Sequence, residues 1–409
     1  MRRNPPAISG RRIGEPQVSP DPMTSDPKGS GASASADSGD TTKSFHLWMD
    51  AFRTLAAVMV LISHTRDITV QDYSGVAWTM PIYFATSLGH TGVVLFFVMS
   101  GYWISASVVS RVGGQSFWPE YLIARLSRLW VVLIPALILG GLMDFYGDQI
   151  LHLPAYQNAI GSHSLTGNVA DRLGLPTFLA NALFVQTILA PTWGSNGPLW
   201  SLAAEFWYYL MFPVLVILFG RKRRMAWFTL LACIAVSIAN LQLFLGFFVW
   251  LLGYTLQIIF RNHGHGERTV SRSLVLVLAT ALLIGAFAVN SAIKNCVPDI
   301  AMGVVFSLFL IALRGSAAPF PRWLEWVALY GRKSSFSLYA IHFPIVILLG
   351  GLAVGGARYP AGGHGFLVMT AICVVCFVAA FGFSLLTEWN TDQVRRKMTR
   401  AYARVTNRV

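Results

Sequence analysis

Charge is scarce in this chain: of 409 residues only 12% are Asp, Glu, Lys or Arg, with 18 acidic against 31 basic. Soluble domains carry about 25% charged residues, so a water-facing globular surface is excluded for most of the length. Cysteine is scarcer still, at Cys233, Cys296, Cys373 and Cys376. The Cys373-x-x-Cys376 spacing lies in an apolar run without a histidine, a second pair or a thioredoxin-like strand pattern, so both are read as small core residues. No His, Cys, Asp and Glu set has metal-ligand spacing; His263 and His265 fall in a basic loop expected to be solvated, and no metal is expected. A Walker-type phosphate loop and a G-x-S-x-G nucleophile elbow are both missing. The net charge of +13 is not gathered on one domain or interleaved with a base-stacking platform, so nucleic acid is not an expected partner.

What the chain has is apolar length. Hydrophobic residues make up 55% and mean hydropathy is +0.56, the composition of a polytopic membrane protein. Apolar runs of roughly 17 to 25 residues centre near 47–66, 89–109, 127–146, 198–219, 225–242, 244–260, 273–290, 298–314, 335–356 and 366–388. The expected fold is therefore all-α, a bundle of about ten transmembrane helices, and an even number of spans puts both termini on one side. Placing that side in the cytoplasm leaves 26 Lys and Arg on inner segments and only Arg66, Arg172, Lys294 and Arg358 on outer ones. This bias predicts cytoplasmic termini and a multi-pass protein of the inner, cytoplasmic membrane.

Residues 1–44 are rich in Ser, Gly, Pro, Asp and Ala and hold no run that could build a core, so a disordered tail is expected there. No apolar stretch follows its early arginines before Phe45, so it is not read as a secretory signal. The transmembrane domain is expected over 45–390 and a basic cytoplasmic tail over 391–409. Residues 147–197 form a long outward loop, with an apolar piece from Phe178 to Leu189 expected to lie against the membrane or dip into it. With no soluble enzyme domain evident, any chemistry belongs to the membrane domain.

Polar residues inside the apolar runs are the candidates for that chemistry, because ionisable groups in a bilayer are costly and usually face a bundle interior or a wet cavity. Arg53 and His64 share one run, with nothing ionisable between them. At about 100° per residue, eleven steps return His64 to within roughly 20° of Arg53, about 16 Å along the axis, so both lie on one helix face. Arg125 and Arg128, three apart, project together and could grip phosphates; the plainer reading is positive-inside anchoring. Glu205 lies seven residues into the run that starts at Pro198, and Arg53 or His64 is its expected partner.

These residues and others resemble the acyltransferase 3 family, integral membrane enzymes that acylate sugars and other hydroxyl acceptors. The resemblance rests on Phe52-Arg53 through His64, then Gly92-Val93-Val94-Leu95-Phe96-Phe97-Val98-Met99-Ser100-Gly101-Tyr102. In the family's order follow Arg125-x-x-Arg128, Trp200-Ser201-Leu202-x-x-Glu205 and Ser335-Phe336-Ser337-Leu338-Tyr339-Ala340-Ile341-His342-x-Pro344. It departs from the family near Glu388, where Asn390 stands in the place of a common proline. The resemblance implies an acyl-CoA donor, with acetyl-CoA the expected form, no permanently bound cofactor, Arg53 and His64 essential to catalysis, and Arg125 and Arg128 concerned with the donor.

A neutral imidazole can take the proton of a hydroxyl as it attacks a thioester, which makes His64 the expected general base. Arg53 would stabilise the oxyanion, orient the donor or hold Glu205 ionised. Glu205 would orient His64 or counter Arg53, and Asp67 is an alternative orienting carboxylate whose plainer reading is a solvated helix end. Trp200, Tyr339 and His342 are expected along an acceptor tunnel, with packing as the plainer reading for Tyr339 and His342. The Gly92 to Gly101 stretch is read as packing. The expected acceptor is a carbohydrate or lipid-linked glycan of the envelope, with membrane lipids and polysaccharide-assembly proteins as partners. The alternative is a transporter or flippase that uses Arg53, His64 and Glu205 as a pathway.

Overall fold

The structure is a computed structural model that describes residues 30–114, 116–165, 167–219, 231, 234, 240–262, 270–292 and 296–406. The chain divides into two compact units, Met1–Asp40 and Thr41–Val409; the site lies wholly in the second. The long helices are α1 (Ser30–Thr69), α3 (Gly89–Val109), α4 (Phe117–Phe145), α6 (Trp200–Phe219), α7 (Leu241–Asn262), α8 (Val270–Ala292), α9 (Cys296–Gly315), α10 (Glu325–Val354) and α11 (Gly363–Leu386). Shorter ones are α2 (Met80–Thr86), α5 (Leu175–Ala182) and α12 (Thr391–Thr406). No strand occurs among the described residues, only isolated bridges such as Val70 with Tyr359. Lipid offers no hydrogen bonds to a bare backbone, so these apolar runs are stable there only as helices that satisfy their own amides.

Nine segments among the described residues are long and apolar enough to cross a membrane. They match nine of the ten expected spans; the tenth, near 225–242, lies mostly outside the described residues, as does most of the tail expected over 1–44. The stretch expected as a basic tail contains α12, which packs on α4.

Small residues set how closely the helices approach. A Cβ on Gly101 would sit 2.0 Å from the Trp250 carbonyl oxygen, and one on Gly253 2.1 Å from that of Val98, so α3 and α7 meet nearly backbone to backbone. A Cβ on Gly92 would lie 2.7 Å from the Ala56 carbonyl, and one on Gly89 2.6 Å from Ser63 Cβ, which draws α1 against α3. Gly331 and Gly350 do the same for α10, facing Thr54 and Ile68 of α1. The Gly92 to Gly101 stretch therefore packs helices, as small residues do where lipid removes the hydrophobic drive between them. α1 is thereby held between α3 and α10, and its polar face can be lined on both sides.

The loop between α4 and α6 is tied down by paired polar groups rather than left loose. Asp144, fully buried in α4, accepts from the Ser195 amide and hydroxyl at 2.7 Å each. Trp193 donates its indole N–H to the Leu137 carbonyl, and Asn181 bridges the Thr177 and Pro191 carbonyls. Leu175, Leu179, Leu183 and Leu189 are left exposed along α5 and the turn after it, an apolar ridge where the sequence places a membrane-facing piece.

Candidate active site

Three adjoining cavities run through the helix bundle. The first is lined by Arg53, Arg125, Arg128 and Arg332, with Asp50 and His46. Four guanidinium-bearing side chains make it an anion site in composition. The central cavity shares Arg53, Ser100, Arg128, Glu205 and Tyr209 with the first and adds Tyr339 and Phe96. Val93 and Phe97 line both it and an open cleft that holds His64, Asp67, His90 and Trp200. Arg53 and His64, on one face of α1, thus look into successive compartments of one path.

His64 is aimed by a histidine. Its Nδ1 lies 2.9 Å from His342 Nε2, with ring planes 8° apart and centroids 5.2 Å apart, the arrangement of two imidazoles meeting edge to edge. His342 Nδ1 lies 2.8 Å from the Tyr339 carbonyl, to which only an N–H can donate. That fixes the proton of neutral His342 on Nδ1 and leaves Nε2 to accept from His64 Nδ1–H. His64 Nε2 is then the nitrogen left with a lone pair, the tautomer a base needs. His342 is itself 1% exposed and lines none of the three cavities, so it stands behind His64 rather than along the path. The family motif marks His342; its partner was not legible because α1 and α10 are far apart in sequence.

Glu205 does not fill the orienting role. Its Oε1 accepts from the Ser100 hydroxyl at 2.7 Å and from the Tyr209 hydroxyl, and Trp250 donates to Ser100 behind it. It shares the central cavity with Arg53. Arg53 has its ion partner one turn away, at Asp50, 3.6 Å distant. Tyr209 follows Glu205 by four residues and Asp50 precedes Arg53 by three, so helical spacing alone could have found both.

Asp67 makes no hydrogen bond to His64, and it is not a solvated helix end. It is 3% exposed and accepts from the Ser162 hydroxyl and the Ser164 amide, pinning the outward loop to the end of α1. Asp67, Asp72 and His163 bring one ligand atom each within 4.8 Å of one another. Arg358 lies 3.9 Å from Asp67 and 3.1 Å from Asp72, and Arg66 lies 3.7 Å from Asp72, so both carboxylates already have cationic partners.

The remaining expected residues separate by compartment. Arg125 lies over the rings of Tyr121 and Tyr209 at 5.5 and 5.8 Å, which holds the guanidinium beside the arginine cavity. Trp200 lines the cleft, whereas Tyr339 lines the central cavity and donates to the Pro198 carbonyl. Glu388 accepts from the Ser337 amide and hydroxyl at 3.1 and 3.0 Å, a link between the end of the last span and α10. Cys373 and Cys376 are buried and free, as small core residues.

A family profile described as an acyltransferase domain matches residues 46–396, which takes in every residue of the path. The chain belongs to the acyltransferase 3 family. Among curated proteins it is similar to an O-acetyl transferase of Shigella phage Sf6, 28% identical over 173 residues, 41% of this chain and 45% of that one. It is also similar to the acyltransferase MdmB of Streptomyces mycarofaciens, 29% identical over 129 residues, 32% of this chain and 29% of that one. Each match spans less than half of the relative's length. No solved structure matches the chain significantly. The acyltransferase 3 assignment gives the path a chemical context: charged groups that line a cavity rather than face lipid, in a family of membrane acyltransferases.

Proposed function

We propose that this protein is a membrane O-acyltransferase that moves an acyl group, most simply acetyl, from acyl-CoA to a hydroxyl of an envelope or exported carbohydrate. The observation that carries this reading is the pairing of His64 with His342 at one end of a path whose other end is lined by arginines. In it, the phosphates of CoA lie in the cavity of Arg125 and Arg128, and the pantetheine arm threads the central cavity so that the thioester reaches Val93 and Phe97. The acceptor enters the cleft from the other face. By the positive-inside bias the arginine end faces the cytoplasm, in an inner-membrane protein with both termini inside.

Transfer is then a single displacement. His64 Nε2 removes the acceptor proton as the hydroxyl oxygen attacks the thioester carbonyl. The new C–O bond forms as the C–S bond breaks, and CoA leaves as thiolate, to be protonated by the imidazolium. Arg53 offers the charge that steadies the donor or the oxyanion, and Glu205, held by Ser100 and Tyr209, balances that charge. A lone pair on Nε2 would serve equally to carry an acyl group, but direct transfer needs fewer steps; a kinetically competent acyl-enzyme formed from donor alone would overturn it.

Purified protein given labelled acetyl-CoA and crude envelope glycans should form labelled ester, and His64→Ala should abolish it. Ester formation that survives the substitution removes His64 from the role of base. Movement of glycan or donor across a vesicle membrane without ester would favour transport along the same stripe.

A further inference from the structure

The cleft that holds His64 contains a second fixed histidine that the acyl transfer above does not use. His90 Nε2 lies 2.9 Å from both carboxylate oxygens of Asp299. Asp299 Oδ1 also accepts from the Asn290 amide at 3.1 Å, and Asn290 Oδ1 accepts from the Thr91 hydroxyl at 2.6 Å. Asn290 and Thr91 are 4% and 1% exposed, so this network joins α3, α8 and α9 with groups that cost free energy to bury. Apolar side chains would pack three helices more cheaply. What the network does deliver is orientation: Nε2–H of His90 is committed to Asp299, and the ring stays 44% exposed in the cleft, with no hydrogen-bond partner for Nδ1 among the described residues.

His90 is also placed where the reaction is. α1 and α3 pack tightly at Ser63 and Gly89, where an added Cβ would collide at 2.6 Å, one residue before His64 and His90 respectively. Trp200 lies beside the His90 ring, 6.3 Å between centroids and 20° from parallel, and lines the same cleft.

The geometry points to His90 as the residue that recognises the acceptor. Its Nδ1 hydrogen-bonds a hydroxyl neighbouring the one acylated, accepting from it when the ring is neutral and donating to it when the ring is protonated, while the Trp200 indole offers a flat apolar face to the C–H side of a ring. The ligand class is a polyhydroxylated ring of pyranose type; a monohydric alcohol has no second hydroxyl for Nδ1. Asp299 acts through His90 as a positioning residue. This inference rests on the acyl-transfer reading above.

The test uses the full chain with acetyl-CoA and two acceptors, methyl α-D-glucopyranoside and cyclohexanol, with ester formation on crude envelope glycans measured beside them. The wild-type protein should favour the glucopyranoside in kcat/KM. His90→Ala and Asp299→Ala should cut that preference by about 10- to 100-fold, through the KM of the glucopyranoside. Asp299→Asn keeps an oxygen for Nε2–H and should retain most of it. Equal loss on both acceptors, an unchanged preference in either alanine variant, or no preference in the wild type overturns the assignment. Failure of the wild type to form ester on the crude envelope glycans, or persistence of that ester in His64→Ala, overturns the acyl-transfer reading and this assignment with it.

Discussion

His64 and His342, 278 residues apart in sequence, meet nitrogen to nitrogen at 2.9 Å, and the second ring is anchored to a backbone carbonyl. This is a means of fixing a tautomer without a carboxylate. A carboxylate behind His64 would favour the imidazolium, whereas a neutral imidazole holds the proton on Nδ1 and adds no charge to an apolar interior.

Removal of that anchor should therefore cost rate rather than donor affinity. His342→Ala is expected to lower kcat by about 10²- to 10³-fold, with the KM for acetyl-CoA within twofold or so. His342→Gln, which offers an amide oxygen near the place of Nε2, should recover part of the loss. Steady-state kinetics of ester formation decide it: an unchanged kcat in the alanine variant would show that His64 needs no orienter.

The arginine cavity predicts a split between donors. Arg125→Ala and Arg128→Ala should each raise the KM for acetyl-CoA by about tenfold, the scale of one lost charge-assisted hydrogen bond. S-acetylpantetheine, which lacks the nucleotide and its phosphates, should show little change. Similar losses with both donors would place these side chains at the thioester or in the fold instead.

How much of this was legible depended on the range of the signal. The helices were, because apolar length decides them, and the one-face relation of Arg53 and His64 follows from helical period alone. Local pairs were legible in principle: Asp50 with Arg53 and Glu205 with Tyr209 sit at helical spacing. The pairing of His64 with His342 was not, nor was that of His90 with Asp299 across 209 residues, because period fixes a face but not which neighbouring helix covers it. Asp67 misled for the same reason. Its position at a helix end suggests water, but a loop about 95 residues away covers it with Ser162 and Ser164.

Close helix approach yields a prediction about stability. Gly101→Ala places a Cβ 2.0 Å from the Trp250 carbonyl oxygen, a backbone atom that cannot swing aside. Overpacking of this kind typically costs about 1–3 kcal/mol, so the purified variant should melt lower in detergent. Gly285→Ala, where an added Cβ meets nothing within 4 Å, is the matched control and should melt with the wild type. Equal melting of the two variants would show that α3 and α7 can part without cost.

The clasp at the end of α1 predicts a pH dependence of the outward loop. Burial raises the Asp72 carboxyl, but hydrogen bonds and charge from Arg358, with His163, outweigh it and hold the group below the usual carboxylate range. A lowered folded value means that the contribution is complete above the unfolded value of about 3.9 and fades as pH falls through the folded one. Near neutral pH the clasp is therefore fully formed. Amide exchange over 160–172, corrected for the intrinsic rate at each pH, should rise only as pH drops below about 4. Asp72→Asn should show the faster exchange already at neutral pH and lose the pH step. A step of equal size in Asp72→Asn would move its origin to another carboxylate, with Asp67, buried beneath the same loop, the next to substitute.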